Sequence, residues 1–492
     1  MNAENRKKFY LTTAIPYVND RPHVGHALEF VQADVLARAA RARGDEVLVL
    51  SGADENALKN VQAAEKAGVP VRDFIEANAK LFSELAERLN VHFDVFQRGS
   101  DTAHHYPASQ ELWRRCAAAG DIYKKSYEGL YCLGCEAFYA PEELTPDGEC
   151  REHPGRKLET VSEENYFFRL SKYRDTLIDL ISSDALRIIP VSRKNEMLGF
   201  LRGPLEDISI SRSNERARNW GVPVPGDDTQ RIYVWFDALN IYQSGIGFGW
   251  DEEMYQKWWP ADTHLIGKGI LRFHAVYWPA FLLSAKLPLP KSIIVHGYIT
   301  VDGQKMSKSV GNVIDPFALV EKYGADPVRY YLLREIPSGE DGDFSYEKFE
   351  ARYNGDLANG IGNLVARVVT LGESISPISV AADASVAAEI GRVRAAVAGR
   401  TEEFRLNEAL AAIWELISFA DKYINDEKPW AMKDDDAASR RIIGSAALLI
   451  DAACDLLAPF LPETAEKIRA QISVRDNMII IKKGVNLFPR LR

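Results

Sequence analysis

The stretch from Phe9 to Asp54 restricts the possible folds more than any other. Phe9-Tyr10-Leu11-Thr12-Thr13-Ala14-Ile15, rich in aromatic and β-branched residues, reads as a buried strand. Pro16, Asn19, Asp20 and Pro22 break it into a loop. His23 then opens a helical pattern with Leu28, Val31, Val35 and Leu36 on one face. Glu46-Val47-Leu48-Val49-Leu50 reads as a second strand ending in Ser51-Gly52-Ala53-Asp54. Helices are predicted over 56–67 and 71–89. Strand, loop, helix, strand and helix in this order predict an α/β fold with a parallel, doubly wound (Rossmann-like) sheet, in which ligands sit at the carboxyl ends of strands. His23-Val24-Gly25-His26 lies at such an end, where a helix N-terminus favours phosphate.

At 492 residues the chain is too long for a single core. Residues 1–119 read as the first half of the sheet domain. From 120 to 228 the texture changes to Gly, Pro, paired Cys and short strand-like runs, which predicts an inserted domain. Strand signals return at Arg231-Ile232-Tyr233-Val234-Trp235-Phe236 and at Ser292-Ile293-Ile294-Val295, so 229–300 completes the sheet domain. Residues 301–355 form a loop-bearing region. From 356 to 492 the pattern is helical almost throughout, for instance at 386–399, 404–424 and 437–458, without strong strand runs, and predicts an α-helical bundle.

Cys132-Leu133-Gly134-Cys135 followed by Cys150-Arg151-Glu152-His153 presents three thiolates and one imidazole on two tight turns. That set suits tetrahedral zinc, and four protein ligands leave no open position, so the metal is expected to be structural. Cys116 and Cys454 read as buried packing residues.

Lys305-Met306-Ser307-Lys308-Ser309 follows Asp302-Gly303 and a strand-like Tyr298-Ile299-Thr300-Val301, which predicts a loop able to close over a ligand. Together with His23-Val24-Gly25-His26, in this order and spacing, it resembles the nucleotide-binding signatures of class I aminoacyl-tRNA synthetases. Ala14-Ile15-Pro16-Tyr17, Tyr233-Val234-Trp235-Phe236-Asp237-Ala238, Arg272-Phe273-His274, Tyr423 with Lys428-Pro429-Trp430, and Asn486-Leu487-Phe488-Pro489-Arg490 narrow the likeness to the methionyl-tRNA synthetases, over essentially the whole chain.

The resemblance implies ATP, with magnesium on its phosphates, as one substrate. His23, His26, Lys305 and Lys308 would act on the phosphates, and Gly25 would let the adenine approach the backbone. It implies a methionine pocket of Ile15, Tyr17, Trp235, Ala238, Leu239, Tyr242, Ile270 and His274, with Asp54 receiving the ammonium group. Aromatic and aliphatic walls suit a polarizable thioether, and Tyr242 and His274 would offer donors to the sulfur. It implies that Asn363, Arg367 and Trp430 read the anticodon of tRNA(Met) by stacking and edge-directed hydrogen bonds. Asn363 and Arg367 stand four residues apart, on one helix face. Two positions depart from the family pattern: Gly269 stands where relatives usually carry Asp, and Asn56 where many carry His.

The net charge of −10 argues against a generally basic nucleic-acid binder, and residues 356–492 carry 17 Lys and Arg against 19 Asp and Glu. RNA binding would therefore use local patches and shape. No apolar run approaches the ~20 residues that span a bilayer. Met1–Lys8 is polar and no signal-peptide core follows, so the expected location is cytoplasmic. No further RNA-binding or dimerisation domain is expected after the bundle, and a monomer is expected. Three rivals remain in the sequence: another class I synthetase, a non-tRNA adenylate-forming ligase, and a zinc-stabilised RNA-binding protein without chemistry. The length of 120–228, the bundle residues and the intact KMSKS string respectively weigh against them.

Overall fold

The computed structural model describes residues 6–306, 311–380, 383–432 and 437–491, except 136, 140, 154, 156 and 157. The chain forms two compact units, one of residues 1–22, 40–86 and 92–296, the other of residues 23–39, 87–91 and 297–492. Residues 23–39 and 87–91 thus group with the C-terminal part of the chain and not with the rest of 1–119.

The first unit is built on six strands: β1 (Lys8–Thr13), β2 (Glu46–Ala53), β3 (Val95–Arg98), β4 (Arg187–Ile189), β5 (Thr263–Gly267) and β6 (Ser292–His296). All pair in parallel, in the order β3-β2-β1-β5-β6-β4. The order reverses direction between β1 and β5, which opens a crevice at their carboxyl ends. Residues 10–13 of β1 and 48–53 of β2 are buried without alternation, as expected for strands covered on both faces. Their few polar side chains satisfy one another: the Thr13 hydroxyl donates to Ser51 Oγ at 2.8 Å, and Thr12 Oγ1 lies 2.6 Å from His264 Nδ1 on β5.

The expected insertion at 120–228 contributes β4 to this sheet, so it is not wholly separate from it. Four of its strands form an antiparallel sheet, Ala137–Tyr139, Ile122–Cys132, Glu159–Phe168 and Ile208–Ser209 in that order, and Ser211–Ser213 and Pro223–Val224 flank Asp227–Ile232 in a second antiparallel sheet. The strand expected at Arg231–Phe236 is a correction: a strand covers Asp227–Ile232, and Val234–Leu239 is helical. A short apolar run fits a strand or a buried helix equally well, and the backbone turns at Tyr233.

The second unit contains helices Ala384–Glu402, Leu406–Glu427, Ala437–Leu457 and Pro462–Arg469. Leu406, Leu410, Ile413, Ile417, Ala420 and Ile424 form a buried stripe at helical spacing along the second of them. The bundle is not free of strands. Ile472–Arg475 and Met478–Ile481 form a hairpin, joined on its outer side by Ile378–Ser379. Asp476 and Asn477 both take positive φ, 50° and 59°, as a two-residue hairpin turn requires.

Candidate active site

The expected methionine pocket assembles within the first unit, at the carboxyl ends of β2, β1 and β5. Ile15 and Tyr17 follow β1, Asp54 follows β2 and forms a bridge with Tyr17, and Ile270 ends the single turn Lys268–Ile270 after β5. Trp235, Ala238 and Leu239 come from helix Val234–Leu239, Tyr242 from Ile241–Ser244, and His274 from a widened turn at Phe273–Tyr277. The turn Lys268–Ile270 includes Gly269, which adds no side chain to it.

Trp235 is the centre of the wall. Its ring stacks on Phe273 at 3.7 Å between centroids and meets the edge of Tyr17 at 6.2 Å. Its Nε1–H donates to the Cys135 carbonyl at 3.2 Å. Lys59 Nζ lies 2.9 Å from the centre of the Tyr17 ring and 3.4 Å from the Gly134 carbonyl. The cysteine-rich turn therefore supports two side chains that both touch Tyr17. Sequence reading missed Lys59 and Phe273. Phe273 lay within a quoted motif, whereas nothing in the sequence marked Lys59.

Tyr242 and His274 do not keep the donors expected for a thioether. His274 Nδ1 lies 2.9 Å from the Ile270 carbonyl, which can only accept, so the ring proton is on Nδ1. Nε2 is then left to accept the Tyr242 hydroxyl proton at 2.8 Å. Burial pushes the His274 pKa down to about 4, which keeps the ring neutral and this chain of bonds intact. At Tyr242 and His274 the pocket meets a ligand with ring faces and lone pairs.

The metal ligands predicted from spacing converge. The ligand atoms of Cys132, Cys135, Cys150 and His153 lie within 4.8 Å of one another. Measured edges run from 3.3 Å (Cys135 Sγ to His153 Nδ1) through 3.5 Å (Cys135 to Cys150) and 3.8 Å (Cys132 to His153) to 4.0 Å (Cys150 to His153). A tetrahedral ion with bonds of about 2.3 Å to sulfur and about 2.0 Å to nitrogen has edges of about 3.5–3.8 Å, so the cluster fits zinc. A Cβ at Gly134 would stand 2.5 Å from the His153 ring, which explains glycine within this turn. The hydrogen bond between Cys135 and Cys132 holds the Cys132 thiol pKa well below its ordinary value and raises that of Cys135.

In the second unit, helix Val24–Ala42 starts inside the His23-Val24-Gly25-His26 motif. The His23 backbone N–H donates to His26 Nδ1 at 3.1 Å, and the Gly25 N–H donates to His23 Nδ1 at 3.0 Å. Each neutral ring therefore carries its proton on Nε2, and the rings lie 4.0 Å apart between centroids. A Cβ on Gly25 would meet the His23 ring at 2.8 Å. Lys305 ends a short strand, Gln304–Lys305, and its side chain is outside the described set, as is all of Lys308.

Asn363 and Arg367 lie on helix Asn363–Gly372. Arg367 donates to Asp421 Oδ1 at 3.0 Å and Asn425 Oδ1 at 2.8 Å, and its guanidinium lies 5.1 Å from the Trp430 ring centre. Trp430 is 48% exposed, a large value for an indole held in place. Asn363 is also exposed.

Residues 9–369 match the family tRNA synthetases class I (M), and residues 383–483 match the anticodon-binding domain of tRNA ligase. The chain is 42% identical over 474 residues to the methionine–tRNA ligase of Brucella suis, covering 94% of this chain and 91% of that one. It is 43% identical over 499 residues to the methionine–tRNA ligase of Mycobacterium bovis, covering 98% and 95%. Mycobacterium tuberculosis methionyl-tRNA synthetase in complex with methionyl-adenylate superposes with a TM-score of 0.93 at 39% identity, over 98% of this chain and 100% of that one. The apo form of the same enzyme gives 0.86 at 36% identity, with 99% of each chain covered. The chain belongs to the class I tRNA synthetases and, within them, to the methionine–tRNA ligases.

Proposed function

We propose that this chain activates L-methionine with ATP and then transfers it to the terminal adenosine of tRNA(Met), with the residues named above in distinct roles. The aromatic pocket in the β1/β5 crevice carries this reading, because it offers an apolar, polarizable wall where such folds bind their ligands. Trp235, Ala238, Leu239, Tyr242, Ile15, Ile270 and His274 enclose the thioether chain, Tyr17 closes over it, and Asp54 holds the ammonium group. The methionine carboxylate attacks the α-phosphate of ATP and pyrophosphate leaves. A 2′- or 3′-hydroxyl of the tRNA then attacks the adenylate carbonyl and AMP leaves. No covalent enzyme intermediate is needed, so positioning and electrostatics supply the rate.

His23 and His26 present Nε2–H donors to the triphosphate, Gly25 keeps the backbone open to adenine, and Lys305 and Lys308 hold the departing pyrophosphate. Magnesium arrives on the ATP phosphates. The exposed Trp430 stacks an anticodon base while Arg367 and Asn363 bond base edges. Cys132, Cys135, Cys150 and His153 hold one zinc within the inserted region 120–228. Bound there, a four-coordinate ion would cross-link two turns, and the four protein ligands would fill its coordination. The protein acts in the cytoplasm as a monomer; among the described residues no helix is long and apolar enough to cross a membrane.

The test is amino-acid-dependent ATP–pyrophosphate exchange. Exchange stimulated by methionine, and not by leucine, isoleucine, valine or cysteine, is the expected result. Exchange with another amino acid, or with none, refutes the reading.

A further inference from the structure

Behind the pocket wall lies a buried carboxylate that the reaction does not use. Asp237 sits on helix Val234–Leu239, two residues after Trp235 and one before Ala238, with 1% of its surface exposed. Its Oδ1 accepts from His105 Nε2–H and from the Ser109 hydroxyl, both at 2.9 Å. Its Oδ2 accepts from Asn56 Nδ2–H at 2.6 Å. The second Nδ2 proton of Asn56 goes to the Gly99 carbonyl at 2.7 Å, and the Tyr106 hydroxyl donates to Asn56 Oδ1 at 3.3 Å. His105 Nδ1 faces Ser244 Oγ at 2.7 Å. Serine, histidine and aspartate in this order resemble a hydrolytic triad, but His105 and Ser244 are both fully buried, so no substrate reaches the hydroxyl.

We propose that Asn56 and His105 are positioning residues for the amino-acid pocket, which they fix by clamping Asp237 and, through it, the helix that bears Trp235, Ala238 and Leu239. This rests on the methionine-activating reading. Proton counting explains why asparagine serves at position 56. Gly99 O and Asp237 Oδ2 are both pure acceptors, so the residue between them must donate twice. A carboxamide has two N–H protons in every state, whereas a neutral imidazole has one and donates twice only when protonated. The ionisable neighbours are Asp237, His105 and Tyr106, with Arg72 and Arg231 beyond Tyr106 and Glu55 paired to Arg98. Asn56 thus holds the pocket wall in one geometry across the physiological pH range.

Methionine-dependent pyrophosphate exchange on the full chain tests this. The expected result for Asn56→Ala is a methionine KM raised about 10-fold, with the ATP KM within twofold of the parent; His105→Ala should give the same split, and His105→Gln, which keeps a donor, should restore much of it. Asn56→His should show a methionine KM near the parent value at pH 6 that rises towards that of the alanine variant by pH 8.5, while the parent profile stays flat. A methionine KM unchanged in Asn56→Ala, or both KM values moving together in proportion to lost thermal stability, would overturn the clamp. If Asn56→Ala does not fold, the Asn56→His profile decides, and a flat one overturns the proposal. Absent exchange in the parent protein refutes the methionine-activating reading itself.

Discussion

Replacing Arg329 by methionine should destabilise the second unit by about 3 kcal/mol. Arg329 lies on helix Ala325–Glu335 and is fully buried. Its Nη2 lies 2.8 Å from Asp34 Oδ2, on the helix that begins with the His23-Val24-Gly25-His26 motif, and its guanidinium also donates to the carbonyls of Leu89, Pro459 and Phe460 at 2.8–3.0 Å. Breaking a buried ion pair from one side costs about 3–5 kcal/mol, because the remaining charge stays buried. The lower end applies here, since Arg38 Nε still contacts Asp34 at 2.6 Å. For a unit of about 220 residues, 3 kcal/mol lowers the Tm by about 6–12 °C. Calorimetry on the full chain reads this shift. Removing both charges, in Arg329→Met with Asp34→Leu, should recover at least half of the loss, because apolar replacements of similar volume are tolerated once no charge is stranded. A shift below 2 °C for the single variant, or no recovery in the double, would show that the pair does not carry the contact.

Lowering the pH should weaken the fold through His274. The unfolded chain takes up a proton below its ordinary pKa of 6.5, whereas the folded ring resists protonation down to about 4. The contribution is therefore complete above pH 6.5 and is lost as pH falls towards 4, at up to about 1.4 kcal/mol per unit. Urea titrations at pH 7 and 5 should show a smaller difference for His274→Gln than for the parent; equal differences would refute the assignment. Arg367→Ala and Trp430→Ala should each lower kcat/KM for tRNA about 5- to 150-fold while pyrophosphate exchange stays within twofold. Loss of exchange as well would mean the residues serve the fold. Removing zinc with a chelator should release one ion per chain and change Trp235 fluorescence, because the Cys135 carbonyl accepts from that indole. A protein that carries no zinc as purified would sink this reading.

The parts of the fold legible in the sequence were those with a continuous local signal. The mostly apolar, non-alternating runs at Phe9–Ile15, Glu46–Leu50 and Ser292–Val295 led directly to strands, since burial on both faces favours apolar residues without alternation. The Arg231–Phe236 run failed the same test because its five apolar residues fit either structure, and the chain passes from strand to helix at Tyr233. The hairpin at 472–481 went unseen behind helical neighbours, although Met478-Ile479-Ile480-Ile481 after Asp476-Asn477 carried its signature.

The sequence by itself determined the element types where the local signal was continuous, the cysteine and histidine spacing that brings four ligand atoms together, and the motifs that mark the family. Each of these is written in residues near one another or in strings specific enough to recognise. Tertiary structure alone decided where the protons go. Tyr242 and His274 spend their donors on each other and on a carbonyl, and Asp237 meets Asn56 and His105 from 181 and 132 positions away. Contacts across such separations depend on the register of the whole sheet and leave no periodicity along the chain. They are nonetheless what sets the shape and polarity of the pocket.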